Sequence, residues 1–206
     1  MKNKLLPSFH YRPSVGGLLF SLALFLCASA SAQNLLKNGD FESPFPVSDP
    51  TAGWALFFFD GKGGPGDFAI IGQSTEASAG KGGRGLHFRA NHPGPAWAYF
   101  KQVVTNLTPD QRYTLSCPKM KTGDANHDDK ISIYMAAVSG SSSNVVFGNA
   151  TSNGPYSMSV TCSASRQIDV ELHFHKLMMP TLDTADDFKS SECWAHFDEF
   201  SLTLTP

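Results

Sequence analysis

Charge is scarce in this sequence. Charged residues make up 17% of the 206, where about a quarter is usual for a globular chain. The formal net charge is only -2, and no basic stripe stands out, so nucleic acid is excluded as an expected partner. Cysteine is sparse too: Cys27, Cys117, Cys162 and Cys193 form no CxxC and no Cys/His spacing, which removes structural zinc. No window keeps a helical period for long, and no nucleophile elbow or other assembled catalytic signature occurs. Glycines cluster in Gly80-Lys81-Gly82-Gly83-Arg84-Gly85, but the Lys-Ser/Thr ending and following helix of a phosphate-cradling loop are missing, so a plain turn is expected.

What is abundant is turn residues and rings. There are 18 Gly, 13 Pro and 16 Phe, the composition of many short strands joined by turns. The one long apolar run, 15–28, follows a basic start (Lys2, Lys4, His10, Arg12) and precedes Ala30-Ser31-Ala32. That order reads as a signal peptide over 1–32 with the mature chain starting at Gln33. A lipoprotein signal at Cys27 fits less well, because Leu26 stands where a small residue is wanted. The expectation is one domain over 33–206 with no membrane span after cleavage, secreted, periplasmic or at the cell surface. Export would permit a disulfide among Cys117, Cys162 and Cys193, one thiol being left over and the pairing open.

The apolar spacing predicts strands in series. A dense run covers 54–59, a short strand 67–72, and alternation marks 86–90. Along 96–107, Trp97, Tyr99, Lys101 and Val103 share one face, with Phe100, Gln102 and Val104 on the other. A strand is expected over 112–122, with Pro118 marking a bulge or edge. Others follow at 130–138, 145–147, 156–162, 168–175 and 194–205. The clearest sends Ile168, Val170, Leu172 and Phe174 one way and Asp169, Glu171, His173 and His175 the other. Gly140 to Ser143 reads as a flexible loop. This spacing predicts an all-β sandwich or jelly roll.

Two terminal stretches carry acids beside large apolar residues: Asn34-Leu35-Leu36-Lys37-Asn38-Gly39-Asp40-Phe41-Glu42 and Trp194-Ala195-His196-Phe197-Asp198-Glu199-Phe200-Ser201-Leu202. With Gly53-Trp54, the Gly-rich approach 80–88, the aromatic strand Tyr99 to Val103 ending in Gln-x-Val, and Tyr113-Thr114-Leu115-Ser116, they occur in an order that resembles the carbohydrate-binding modules of families four, nine and twenty-two. The resemblance spans nearly the whole mature chain. It implies a galactose-binding-domain-like β-sandwich jelly roll. It also implies a structural Ca2+ held by Glu42 and Asp198, with backbone carbonyls near Gly80 to Gly83 completing an oxygen shell. The closing pair is Asp198-Glu199 instead of Asp-Asp, which keeps the first acid. A rival acidic stretch, Asp124 to Ile131, spaces oxygens like half an EF-hand loop, but Asp129 replaces the glycine and Met135 the bidentate acid; a polar hairpin loop is the better reading.

Sugar sites pair ring surfaces with a few oriented polar groups. Trp97, Tyr99, Tyr134, His173, His175 and Arg89 are the expected ligand-binding residues, Trp97 and Tyr99 on one strand face and His173 and His175 on another. Trp54, Trp97 and Trp194 could instead be core. A transition-metal site at His173, His175 and His196 lacks a spacing-fixed third ligand. The expected function is non-catalytic recognition of a poly- or oligosaccharide. The alternatives are a structural or adhesive surface module without glycan binding, and a small jelly-roll lyase or hydrolase using His173, His175 or Tyr134 as acid or base.

Overall fold

The computed structural model describes residues 33–44, 49–59, 68–77, 83–90, 95–123, 131–148, 156–176 and 193–206. The expected leader over 1–32, the first half of the Gly80–Gly85 turn and the acidic stretch over 124–130 lie outside them. Among the described residues twelve strands run antiparallel with their neighbours and form three sheets. The first sheet has the order β1 (Ala55–Phe58), β4 (Ala96–Val104), β10 (Ile168–Lys176), β7 (Ile131–Ser139), β8 (Ser142–Gly148). A second has β2 (Phe68–Ser74), β3 (Gly85–Ala90), β11 (Cys193–Asp198) and β6 (Lys119–Gly123). The third has β12 (Ser201–Leu204), β5 (Arg112–Cys117) and β9 (Tyr156–Thr161). This is the expected all-β jelly-roll sandwich. No helix among the described residues is long and apolar enough to cross a membrane.

Two stretches read from sequence as single strands are each broken in two. The strand expected over 112–122 divides at Pro118 into β5 and β6, and that over 194–205 divides at Glu199 and Phe200 into β11 and β12. The breaks are at one level, since β6 pairs with β11 and β5 with β12. Proline supplies no ladder donor, and Glu199 adopts a φ of 57°. The double strand therefore turns a corner and passes from the second sheet to the third, as strands do where a sandwich changes sheets.

The period of two along each strand decides what is inside. Phe88 meets Phe100 and Phe174 across the sandwich and Phe197 within its own sheet; Phe88 and Phe174 lie 5.5 Å apart with planes at 4°. All four are buried. Cys117 and Cys162 are buried free thiols, and Cys193 is buried as well.

The chain ends meet, as their composition suggested. Asn34 accepts from the backbone N–H of Leu36 and Leu202 at 3.1 and 3.0 Å through one oxygen, and its amide donates to the Phe200 carbonyl at 3.0 Å. Phe200 N–H donates to the Gly39 carbonyl at 2.8 Å. A Cβ on Gly39 would stand 2.2 Å from the Phe200 oxygen, which explains the glycine. Phe41, Trp54 and Phe200 fill the seam with centroids 5.5 to 6.3 Å apart, so Trp54 is core. Gln102, on the inward face of β4, also serves this end: its amide exchanges hydrogen bonds of 2.7 and 2.9 Å with the Lys37 backbone.

Replacing Asn34 by Ala strips three bonds from this seam and leaves buried backbone groups unpaired. The expected loss is about 1–3 kcal/mol, read as a lower urea midpoint at constant slope; an unchanged midpoint would contradict the role given to Asn34.

Candidate functional site

The outward face of the five-stranded sheet carries a row of rings that crosses every strand. Phe57 is paired with Tyr99, Tyr99 with His173, His173 with Tyr134, and Tyr134 with Phe147. The register puts one ring on each of β1, β4, β10, β7 and β8. Successive centroids from Phe57 to Tyr134 are 5.1, 4.8 and 4.2 Å apart, with planes within 17°, 7° and 12° of parallel. Phe147 closes the row at 5.4 Å, tilted by 56°. Tyr99 and His173 thus have a ring on either side. Beside the row, Trp97 stacks on His175 at 4.7 Å, and the Trp97 indole N–H donates to the Lys176 carbonyl at 3.0 Å. Phe59, one residue beyond β1, sits among Trp97, Tyr99, His173 and His175 with centroids 5.1 to 5.8 Å away.

Charge on this face is held in a second row. Lys101 lies 2.5 Å from the Asp169 carboxylate and 3.5 Å from that of Glu171. Glu171 also accepts from His173 Nε2–H at 2.8 Å. Burial works to raise the Glu171 carboxyl, but the His173 bond and the charges of His173 and Lys101 outweigh it, and its pKa lies below the usual value. Burial likewise pulls the Lys101 ammonium down, and the two carboxylates more than restore it, leaving it raised. Burial, then the charge of Glu171, raises Tyr99 and Tyr134, so both phenols keep their protons. Burial and then the charge of His173 lower His175 to about 4.

Two polar atoms in this face have no hydrogen-bond partner: His173 Nδ1 and His175 Nε2. A buried polar group without a partner costs about 1–3 kcal/mol, and such groups call for a reason. Both nitrogens are shielded from solvent, so a ligand hydroxyl would reach them only after the rings covering them shift.

The structure brings together Trp97, Tyr99, Tyr134, His173 and His175. Arg89 stands apart: it is on β3, paired with Trp194 of the second sheet. His196 is there too, stacked on Trp194 at 4.3 Å and 4.5 Å from His87, which separates it from the other two histidines of the conceivable transition-metal set. Burial, followed by the charges of His87, Lys119 and Lys121, lowers His196 to about 3. Glu42 accepts from Arg84 N–H at 2.9 Å. Asp198 is buried and accepts from Glu199 N–H at 2.8 Å.

Phe147 was missed because 140–143 read as a loop. Instead Gly140 and Ser141 form a two-residue turn, with Ser139 opposite Ser142 and Gly140 at a φ of 59°, the geometry of a tight hairpin. Counting back from that turn places Phe147 opposite Tyr134, so the signal was present. A cleft of about 580 Å³ lies elsewhere, at the terminal seam beside Asn34, Asn38, Asp40, Ser116, Glu199 and Ser201. Its amides and hydroxyls are engaged within the protein: Asn38 with Ser43, and Ser116 with Ser201 at 2.7 Å.

No protein-family model matches the sequence, and no curated protein does. Solved structures do match. One is the carbohydrate-binding module TmCBM61 in complex with β-1,4-galactotriose, aligned over 84% of this chain and all of that one, with 13% identity and a TM-score of 0.57. The chain shares the β-sandwich fold of a carbohydrate-binding module. Less similar are a CBM4 structure (15% identity, 82% of this chain and 99% of that one, TM-score 0.47) and the enzymatically active domain of bacteriophage CBA120 tailspike protein 4 (13%, 84% of this chain and 21% of that one, TM-score 0.48).

His175 and His196 fix the acid response. Both are neutral in the fold, whereas in the unfolded chain they take protons near the ordinary 6.5. Their contribution is complete above about pH 6.5 and is lost as pH falls towards their folded values, because the unfolded chain then binds more protons. The melting temperature is expected to drop between pH 6.5 and 4, with a shallower drop when both are replaced by Gln. An equal drop in that variant would contradict the assignment.

Proposed function

We propose that the protein is a secreted, non-catalytic carbohydrate-binding module that holds a poly- or oligosaccharide against the outward face of the five-stranded sheet. One observation carries this reading: two partnerless imidazole nitrogens, His173 Nδ1 and His175 Nε2, lie inside a patch of aromatic rings. A sugar offers both things such a patch lacks, hydroxyls for the nitrogens and a C–H face for the rings. The resemblance of the terminal stretches to carbohydrate-binding modules and the shared fold point the same way, though fold alone does not fix function. Catalysis is the weaker reading. Glu171 is tied to both Lys101 and His173, and His175, with its pKa at about 4, is neutral at pH 7 and so both a weak acid and a weak base there.

A panel of immobilised polysaccharides tests this. Wild type is expected to be retained without producing new reducing ends or unsaturated products, and His175→Ala to lose about tenfold or more in affinity. Retention by no polysaccharide would remove the reading, and turnover lost in His173→Ala would replace it with the lyase or hydrolase.

A structural Ca2+ is part of the same proposal. The residues present fit its chemistry in part. Glu42 reaches the Gly83–Arg84 backbone, its second oxygen lying 3.7 Å from where a Gly83 Cβ would be. Asp198 follows Phe197, which is paired with Leu86 near the start of β3. Both residues therefore stand beside the start of β3 in the chain's pairing. Among the described residues no group of three His, Cys, Asp or Glu could hold a metal, so the further oxygens would have to be backbone carbonyls, which calcium accepts. Calcium is expected to raise the melting temperature of wild type and to leave Glu42→Ala unmoved; an equal rise in both would remove the site.

A further inference from the structure

We propose that Phe147 is the ring on which this face stacks its ligand, and that the ligand is an uncharged glycan. This rests on the carbohydrate-binding reading and says which ring and which class of sugar chain it involves.

Stacking needs a free ring face, and the inner rings have little to give. Tyr99 lies between Phe57 and His173, and His173 between Tyr99 and Tyr134, at centroid distances of 4.2 to 5.1 Å with planes near parallel. His173 is only 5% exposed. Phe59 lies against both of them and against Trp97 and His175. Phe147 is different. It ends the row on the edge strand β8, touches Tyr134 on one side, and is 63% exposed. On the same face two residues earlier, Val145 is 44% exposed. A large exposed ring beside an exposed aliphatic side chain, continuous with a polar-tipped row, has the make-up of a binding surface.

The charge pattern gives the class. Strands β7 and β8 hold no charged residue at all. Their outward positions on either side of Tyr134 and Phe147 are Ser132, Ala136, Val138, Ser143 and Val145. Charge on this face among the described residues lies at Lys101, Asp169 and Glu171 and, when it is protonated, at His173, whose ring is bonded to Glu171. Both carboxylates engage Lys101 and Glu171 also engages His173, so each cationic group already has an acidic partner. A uronate or sulfate arriving here would meet no free cation and two carboxylates. A neutral sugar meets an apolar ring, hydroxyls and the two imidazole nitrogens. The row spans five strands about 4.8 Å apart, or ~19 Å, which suits an oligosaccharide laid across the strands better than a single sugar.

Affinity electrophoresis in neutral β-glucan, galactan and mannan, and in polygalacturonate at matched concentration, tests the proposal. Wild type is expected to be retarded by at least one neutral polymer and not by polygalacturonate. Phe147→Ala should lose tenfold or more in affinity with an unchanged melting temperature, and Phe147→Trp should keep it. If Phe147→Ala binds as wild type while His175→Ala does not, Phe147 is not the stacking ring, though the carbohydrate-binding reading stands. Preference for polygalacturonate overturns the uncharged class. Retardation in no polymer overturns both this inference and the reading beneath it. Sedimentation completes the set: if Phe147→Ala turns a dimer into a monomer with sugar binding intact, β8 is an interface between copies of the chain and the proposal fails.

Discussion

The in-register antiparallel pairing of β4, β10 and β7 is the constraint on which the rest depends. Strand side chains alternate between faces, so one pairing frame sends Phe100, Phe174 and Ile133 into the sandwich and the alternate residues Tyr99, His173 and Tyr134 out of it. A slip of one residue on β10 would exchange the two sets, putting Glu171, His173 and His175 into an apolar core without partners. The burial of Phe174 against Phe88 therefore fixes the register, and the register builds the outward row. Core and candidate site are two faces of the same choice.

Much of that choice was legible in the sequence. The alternation in 96–107, 130–138 and 168–175 gave the strands, their faces and five of the residues on the outward face, because a half-buried strand writes its period directly into its composition. Partner order was not legible. Nothing in a single strand says that β4 lies beside β10 and not beside β3, and so Arg89 was grouped with residues of another sheet. Breaks were half legible: Pro118 announced one, but the matching break at Glu199 has no proline or glycine to mark it. Phe147 is hidden for a local reason, since the Gly-Ser pair of a two-residue hairpin turn reads in the sequence as part of a longer loop.

The terminal stretches have a separate task. Asn34, Gly39, Phe41, Trp54 and Phe200 close the sandwich through directed hydrogen bonds and an aromatic seam. The polar groups at this end are engaged with each other, whereas two imidazole nitrogens on the outward row are not. That contrast is what separates a structural seam, even one with a cleft of about 580 Å³, from a face with unmet bonding capacity. Glu42 and Asp198 each accept a backbone N–H near this end, from Arg84 and Glu199.

The central claim is that ligand meets the protein at the imidazole nitrogens of the five-stranded sheet. Side-chain 15N spectra of the histidines, recorded at neutral pH during titration with an oligosaccharide of whichever polymer retains the protein, test it most directly. The account predicts that the His173 and His175 ring signals and the Trp97 indole signal move together, while His196 and Trp194 stay still. Movement confined to His196 and Trp194, or to backbone signals of the terminal seam, would contradict it.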